Sequence, residues 1–423
     1  PSAQSKLTRR ILLGLAAGLF AGLAIHWISP PGGGAPDAAD GVLQRVLTQG
    51  VLHVVGELFL RGLSLLVVPL VLVSLVCGTA SLDDVRRLGR MGAKTLVLYL
   101  LTTALAVALA LVLAVLVRPG AGFDLAAGGG YTAREAPSLM DTLIGMVPRN
   151  PVAALAEGNM LQIIVFAVLL GLALALSGDA GRRVLRVFED LNTVVMRLVW
   201  MVMAAAPFGV FALIARTFAA QGMDAVPRLL LYFLVVLAAL VTHTLVVYPL
   251  LLRLVGRLRP LPFFRKMWQT QVFAFSTASS NATLPVTLDA VENRLGVKPA
   301  VAAFTVPLGA TINMDGTAIM QGVATAFVAQ AYGVALSPAA YAMIVVTATL
   351  ASIGTAGVPG VGLVMLAMVF GQVGLPVEGI GLILGVDRLL DMLRTAVNVT
   401  GDAVVSCVVA HSEGELDRAT YDG

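Results

Sequence analysis

The sequence has few charged residues for its length. They make up 12% of its 423 residues, whereas a soluble domain carries about 25%. Hydrophobic residues make up 58% and lie in long runs rather than in amphipathic stripes. The run Leu96–Val117 has no charge, and a helix needs about 20 apolar residues to cross the hydrocarbon of a bilayer. These features exclude a soluble protein and predict an all-α polytopic membrane protein.

Cysteine and histidine are also scarce. The two cysteines, Cys77 and Cys407, fall inside apolar segments, which excludes a disulfide framework and a cysteine metal site. The four histidines are scattered, and we interpret them as packing or interface residues. An intramembrane protease or other enzyme would need a nucleophile–base pair, a carboxylate dyad or a metal cluster, and it is disfavoured because no histidine has a metal-like partner at helical spacing. A net charge of +4, spread in clusters between apolar runs, indicates membrane orientation rather than nucleic-acid binding.

Apolar runs and their breakers predict the order of the first helices. The predicted ranges are 9–28, 51–80, 88–118, 141–177, 183–219 and 225–255. Pro148 and Pro151 interrupt the start of the fourth. The first helix is expected to be retained, because further spans follow and no small-residue cleavage site does. Lys and Arg cluster before the first helix and after the second, fourth and sixth, which places the N-terminus in the cytoplasm.

The last third of the chain departs from simple spans. Pro299–Val386 contains no Lys or Arg, yet it is broken at Asn313–Gly316 and at later Gly- and Pro-containing positions. Such breaks persist at membrane depth only where protein or a water-filled cavity satisfies the backbone. A pair of interrupted hydrophobic segments is the best sequence indicator of a transporter binding site. The pair here, Phe275–Pro285 and Ala351–Gly362, predicts two re-entrant hairpins that enter from opposite faces.

The final apolar segment, Gly379–Ala410, has the strongest chemical signal. At 100° per residue, five polar side chains fall within an arc of about 100°: Asp391, Arg394, Thr395, Asn398 and Asp402. Ionisable residues inside a span are costly and mark functional pathways. An arginine fork can hold a carboxylate, Asp391 can hold an ammonium, and Asp402 offers oxygen to a cation. The alternative is a structural Asp391–Arg394 ion pair with no ligand.

Two further breaks offer polar groups. Unwinding at Asn313–Thr317 exposes carbonyls beside the Asp315 carboxylate, and together they suit a small hard cation; a pore-lining kink would look similar. The Ser279–Pro285 turn has small hydroxyl residues and a helix N-terminus, whose N–H groups can bind a carboxylate.

These segments together resemble the dicarboxylate/amino acid:cation symporter family, the glutamate transporter homologues. The similarity covers nearly the whole chain, and its sharpest points are Thr283–Pro285, Asn313–Thr317, Ser352–Gly360 and Asp391–Asp402. It implies eight transmembrane helices plus two re-entrant hairpins, in a homotrimer with an elevator mechanism. Both termini would be cytoplasmic, and the protein would lie in the inner (plasma) membrane.

The resemblance also implies a division of the chain. Residues 1–87 and 119–219 would form the static scaffold, with the second of these ranges mediating trimerisation. Residues 88–118 and 220–423 would form the moving transport domain, with the second hairpin as the extracellular gate.

The resemblance carries over specific site residues. The implied substrate contacts are Ser280, Thr317, Val358, Gly362, Asp391, Arg394, Thr395 and Asn398. Arg394 would bind the side-chain carboxylate and Asp391 the amino group. Three sodium sites are implied: Gly309, Asn313, Asn398 and Asp402; Thr311, Ser352, Ile353 and Thr355; and Tyr99, Thr102, Thr103, Asn313 and Asp315.

The chain departs from the family pattern near the substrate site. Archaeal members have an arginine where this chain has Ala278, and eukaryotic members have it at the position of Met392. The usual serine at the first tip is Asn281. Arg388 lies one turn before Asp391, and we expect it to substitute for the missing charge.

The sequence therefore predicts sodium-coupled symport of aspartate or glutamate. A proton-coupled glutamate carrier and a neutral amino acid carrier remain alternatives. Sodium is favoured because proton-driven relatives tend to have leucine in place of Met314, and eukaryotic proton-cotransporting members have glutamate in place of Gln321. A neutral substrate would leave Arg394 without its carboxylate, and a dicarboxylate without an ammonium would leave Asp391 unpaired. A pure channel is disfavoured because two hairpins imply gates on both sides.

Overall fold

The computed structural model describes most of the chain, and its regular structure is helical. The described residues are 3–28, 44–80, 85–123, 144–145, 147–353, 355, 357 and 360–423. Within them, the extended pairing is an isolated antiparallel bridge between Val297 and Leu416. The predicted all-α fold class is confirmed for this part of the chain.

The α-helices of five or more residues in the described part of the chain are numbered along the sequence. In chain order they are α1 Ala3–Ile28, α2 Leu52–Ala80, α3 Val85–Val117, α4 Pro151–Glu157, α5 Met160–Leu176, α6 Gly178–Ala204, α7 Ala206–Gln221, α8 Ala225–Thr242, α9 Pro260–Thr277, α10 Ser280–Asp289, α11 Pro299–Ile312, α12 Asp315–Ala331, α13 Pro338–Ser352, α14 Val361–Gln372, α15 Ile380–Ser412 and α16 Arg418–Asp422.

Two predicted helices are each divided in the structure. The range predicted as 141–177 forms α4 and α5, because Asn150 caps α4 ahead of Pro151 and Gly158 ends it at φ +69°. The range predicted as 183–219 forms α6 and α7, which meet at 46°. Pro207 lies in the first turn of α7, where it cannot donate to the preceding turn.

The sixth predicted helix continues past α8 with irregular turns. His243–Val247 and Leu251–Val255 are π-helical, and the short α-helical piece Tyr248–Leu250 lies between them. π-turns inside helices are frequent at functional sites, so this helix is a place to look for polar contacts.

Both predicted hairpins are present as helix–break–helix pairs. The first consists of α9 and α10, with Ala278 in the left-handed region at φ 49° between them. The second consists of α13 and α14. The predicted break after α11 is also confirmed: Asn313 is extended and α12 begins at Asp315.

Five helices of the described residues are long and apolar enough to cross a membrane, or six if α6 and α7 count as one span. Further apolar helices, among them α13 and α14, are too short for that test. The structure thus supports a membrane protein with several spanning helices.

The helix α15 lies in the centre of the second half of the chain. The helices α8, α9, α11 and α12 all pack against it, and α3 packs against α12 and α13. The helices α1, α2, α5, α6 and α7 pack chiefly on one another. Arg394, on the central helix α15, is fully buried.

The segment after α15 holds several helix ends together. The Glu413 carboxylate accepts a hydrogen bond from Arg90 Nη2 at 2.8 Å and another from Lys94 Nζ. These two hydrogen bonds hold the pKa of Glu413 below its ordinary value of 4.5. Because the folded-state pKa is lowered, the stabilisation is present above the ordinary pKa and is lost as pH falls through the lowered value.

Replacing Glu413 with glutamine should lower the free energy of unfolding at neutral pH by about 0.5–1 kcal/mol, as for other surface ion pairs. Thermal unfolding in detergent should show this difference and should show it vanish in acid. Glu157→Gln, at an exposed position on α4, is the matched control. A difference between wild type and Glu413→Gln that persists in acid would contradict the ionic origin.

Candidate functional site

Four charged side chains of α15 form one ion-pair network. Arg394 donates from Nη2 to Asp391 Oδ1 at 2.8 Å and from Nη1 to Asp387 Oδ1 at 3.0 Å. Arg388 Nη1 donates to Asp391 Oδ2 at 3.3 Å. Two positive and two negative charges thus balance one another, as buried charges must. Arg388 thus contacts Asp391, and its substitution for the missing charge stays a prediction.

The other predicted residues of this helix face are also buried. Thr395 Oγ1 donates to Asp391 O at 2.8 Å, so the hydroxyl bonds its own helix. Asn398 Oδ1 accepts from Gly316 N at 2.7 Å, and Asn398 Nδ2 lies 3.4 Å from Thr317 Oγ1. Asn398 therefore joins α15 to the first turn of α12.

Small residues bring the backbones of this region close together. A Cβ on Gly316 would collide with the main chain of Arg394. A Cβ on Gly362 would lie 3.1 Å from Thr317 Cγ2 and 3.5 Å from Arg394 Nη2. The structure thus brings together the predicted substrate residues Thr317, Gly362 and Arg394.

The tips of the two hairpins touch. Asn281 N donates to Gly357 O at 3.1 Å, and Ser279 Oγ donates to the same oxygen at 2.7 Å. Ser279 also caps α10 by accepting from Ala282 N. Ser280 is buried at the first position of α10. Val358, another predicted contact, lies outside the described residues.

The turn at the first tip requires an unusual backbone conformation. Ala278 has φ 49° and is buried. A non-glycine residue in this region costs about 1–2 kcal/mol, and such strain persists mainly at functional sites. Alanine at this position provides no charge, and the replacement of that charge by Arg388 stays a prediction.

Predicted members of the first cation cluster lie around Asp402. Asp402 is buried and its Oδ1 accepts from Asn313 Nδ2 at 3.0 Å. A Cβ on Gly309 would collide with the same carboxylate. Asn398 is buried nearby on α15, but its side-chain oxygen is directed to Gly316 N. The structure therefore brings Gly309, Asn313 and Asp402 together and directs the Asn398 amide elsewhere.

A second carboxylate, that of Asp315, lies among oxygen donors from α3. Thr103 Oγ1 donates to Asp315 Oδ1 at 2.6 Å. Thr102 Oγ1 lies 3.4 Å from this oxygen and 3.3 Å from Asn313 Oδ1. Tyr99 is buried beside them, but its hydroxyl donates to Thr305 O at 2.9 Å. Of the predicted set, Thr102, Thr103, Asn313 and Asp315 meet.

The remaining predicted cation residues lie where the second hairpin meets α11. Ser352 Oγ lies 2.8 Å from Ile312 O, and Ile353 is buried beside it. Thr311 Oγ1 donates to Leu308 O and Thr355 Oγ1 to Ala351 O. The hydroxyls of Thr311 and Thr355 therefore bond carbonyls of their own segments. Of these three hydrogen bonds, the one from Ser352 to Ile312 joins the second hairpin to α11.

Three further residues enter these clusters. Asp387 pairs with Arg394, and its position falls on the arc that was predicted for α15. His243 Nε2 lies 3.2 Å from Asp315 Oδ2, and Tyr248 Oη donates to the same oxygen at 2.9 Å. The interpretation of the histidines as packing or interface residues did not include this polar contact of His243. No spacing rule for α-helices could have placed it there, because it begins a π-turn.

Comparison with known proteins agrees with the predicted resemblance. Residues 7–412 match the sodium:dicarboxylate symporter family. The proton/glutamate-aspartate symporter of Escherichia coli (strain K12) is 36% identical over 424 residues, covering 97% of this chain and 94% of that protein. The proton/sodium-glutamate symport protein of Bacillus caldotenax is 33% identical, covering 97% and 96%. The excitatory amino acid transporter of Caenorhabditis elegans is 36% identical, covering 86% and 82%.

Proposed function

This chain belongs to the sodium:dicarboxylate symporter family, a family of transporters rather than enzymes, and we propose that it transports aspartate or glutamate together with sodium. The observation that carries this proposal is the Asp391–Arg394 pair, 2.8 Å apart and buried. An amino acid with a carboxylate side chain presents the opposite charge to each member of that pair.

Substrate binding exchanges one set of ion pairs for another. The substrate ammonium takes Asp391, and the side-chain carboxylate takes donors of Arg394. Arg394 Nε is buried and has no hydrogen-bond partner among the described residues, so the guanidinium has donor capacity left. Asp391 and Arg394 both keep a partner of opposite charge, so the exchange avoids the cost of leaving either of them isolated. A neutral amino acid would break the Asp391–Arg394 pair without replacing the carboxylate.

Sodium is proposed as the coupling ion because of the donor chemistry. The Asp315 cluster offers carboxylate, hydroxyl and amide oxygens from α3, α12 and the break before it. Hard cations prefer such oxygen ligands. The named relatives include proton-coupled and proton/sodium-coupled symporters, so a proton-coupled carrier is the second candidate.

An elevator-type homotrimer in the plasma membrane is part of the proposal. The packing of α3 on α12 and α13, and of α8 to α12 around α15, supports a transport domain made from residues 88–118 and 220–423. Exposed apolar side chains on α6, including Val187 and Val194, suit a subunit interface or lipid. Basic clusters in alternate loops support cytoplasmic termini.

The function is tested by uptake into proteoliposomes with an imposed sodium or proton gradient and a panel of aspartate, glutamate, serine, alanine and succinate. Uptake of the two acidic amino acids that requires inward sodium is expected. Equal uptake with a proton gradient in sodium-free buffer would overturn the sodium assignment. Preferred uptake of serine and alanine would overturn the substrate assignment.

The affinity for aspartate should rise with sodium concentration. Linkage between two binding sites is reciprocal, and coupling of the usual size changes affinity by about 5- to 150-fold. Calorimetric titration with aspartate at several sodium concentrations measures it. In the Asp315→Asn variant, the affinity for aspartate should depend less on sodium concentration, because one buried carboxylate of the proposed cation site is lost. Aspartate binding that is the same with and without sodium would contradict the prediction.

A further inference from the structure

The side chains of His243 and Tyr248 form a second layer around the Asp315 carboxylate. Both are fully buried, and their rings are 4.6 Å apart at 74°. We propose that they are positioning residues, which orient Asp315 for the coupling cation and thereby set the cation affinity. This inference rests on the proposed function, since it assigns a role within the proposed cation site.

A π-turn brings the two side chains to one carboxylate. In a regular α-helix, residues five apart point about 140° away from each other. Here Tyr248 N donates to His243 O, and this hydrogen bond between residues five apart defines a π-turn. The extra residue in the turn places residue 248 over residue 243, so both polar groups reach Asp315 Oδ2.

The two oxygens of the Asp315 carboxylate face different partners. An ionised carboxylate only accepts hydrogen bonds, so His243 Nε2 and the Tyr248 hydroxyl donate to Oδ2 at 3.2 and 2.9 Å. Oδ1 faces the oxygens of Thr102 and Thr103 at 3.4 and 2.6 Å. Because His243 and Tyr248 fix Oδ2, Oδ1 is oriented toward the predicted cation ligands. Groups behind a metal ligand commonly fix its orientation in this way.

Tyr248 also links the cation cluster to the helix that carries the substrate residues. Its hydroxyl lies 3.2 Å from Val397 O, the carbonyl preceding Asn398 in α15. A Cβ on Gly401 would come within 2.5 Å of this hydroxyl, so the close approach depends on glycine there. A single hydroxyl proton shared between Asp315 and α15 gives the cation site a direct contact with the substrate helix.

Packing alone does not account for a histidine at this position. His243 Nδ1 is buried without a hydrogen-bond partner in the described part of the chain. An unsatisfied buried polar atom costs about 1–3 kcal/mol, a cost that leucine or phenylalanine would avoid. The imidazole is therefore best explained by its hydrogen bond to Asp315.

The test compares Tyr248→Phe, which removes only the hydroxyl, with His243→Leu and the conservative His243→Gln. Aspartate binding to each purified full-length variant is titrated against sodium, and thermal unfolding is recorded alongside. Tyr248→Phe and His243→Leu should lower the apparent sodium affinity about tenfold or more, the usual effect of removing a group behind a metal ligand. His243→Gln, which retains an N–H donor, should recover most of it. Aspartate affinity at saturating sodium should change little.

Controls are His53→Leu and Tyr341→Phe, the same substitutions on α2 and α13, where His53 is exposed and Tyr341 partly buried. Sodium affinities of the test variants within the range of these controls would overturn the inference, as would a loss of aspartate affinity of the same size at saturating sodium. Sodium-independent binding by the wild type would instead overturn the proposed cation itself, and the inference with it. The wild-type titration therefore separates the two failures.

Discussion

Replacing Asp391 with asparagine should abolish transport of acidic amino acids while the protein stays folded. Asp391 accepts from both Arg394 and Arg388 and is the proposed partner of the substrate ammonium. Removing one partner of a buried ion pair costs about 3–5 kcal/mol, and each 1.4 kcal/mol is a tenfold change. Affinity for aspartate, measured by calorimetry, should therefore fall about a hundredfold or more. The fold should persist because Arg394 keeps Asp387 at 3.0 Å.

The matched control is Asp179→Asn on α6, where the carboxylate is 81% exposed. This variant should transport like the wild type with unchanged thermal unfolding. Asp391→Asn should be folded at the assay temperature but unfold at a lower temperature than the wild type, because Arg388 and Arg394 each lose a contact. Wild-type affinity for aspartate in a folded Asp391→Asn protein would show that the buried pair is structural, which is the alternative that the helix spacing left open.

The breaks in the helices are the part of the fold that the sequence predicts best. Glycine, proline and serine interrupt apolar runs at Phe275–Pro285 and Ala351–Gly362, and helices end at Thr277 and Ser352 within those ranges. The reason is local: these residues disfavour a continuing helix through backbone freedom, a missing donor or competing side-chain hydrogen bonds. The bend at Ala205 has a weaker signal, a proline two residues later, because proline is tolerated in the first turn of a helix and does not alone show that the preceding helix ends there.

The face of α15 is also predictable, because an undistorted α-helix has a fixed period. All five polar residues of the predicted arc are buried. Asp387 lies about 40° from Asp391 on the same period, so spacing alone was sufficient to include it. His243 and Tyr248 are different, since their joint position depends on a π-turn that residue types do not reveal. The sequence also does not show which atom of a side chain forms a given hydrogen bond. The Asn398 oxygen, for example, accepts from Gly316 N, and this choice depends on how several helices pack.

Arg394 and Arg388 should have separate effects on substrate selection. Arg394 is fully buried and lies beside Gly362 and Thr317, so we expect it to bind the substrate carboxylate directly. Truncating one member of a buried hydrogen-bonded charge pair costs about 2–5 kcal/mol. Arg394→Cys should therefore lose about 30-fold or more in affinity for aspartate and glutamate, and its selectivity should shift toward serine and alanine.

Arg388 should act through Asp391 instead. Its contact with Asp391 Oδ2 is longer, 3.3 Å against 2.8 Å for Arg394 with Oδ1, and it supports the position of the carboxylate that binds the ammonium. All amino acid substrates share that ammonium, so Arg388→Ala should weaken them by a similar factor, about tenfold, and leave their ranking intact. Calorimetry with aspartate, glutamate, serine and alanine tests both variants, with Arg183→Ala at an exposed position of α6 as control. If Arg388→Ala reorders the substrates while Arg394→Cys does not, the two roles are reversed.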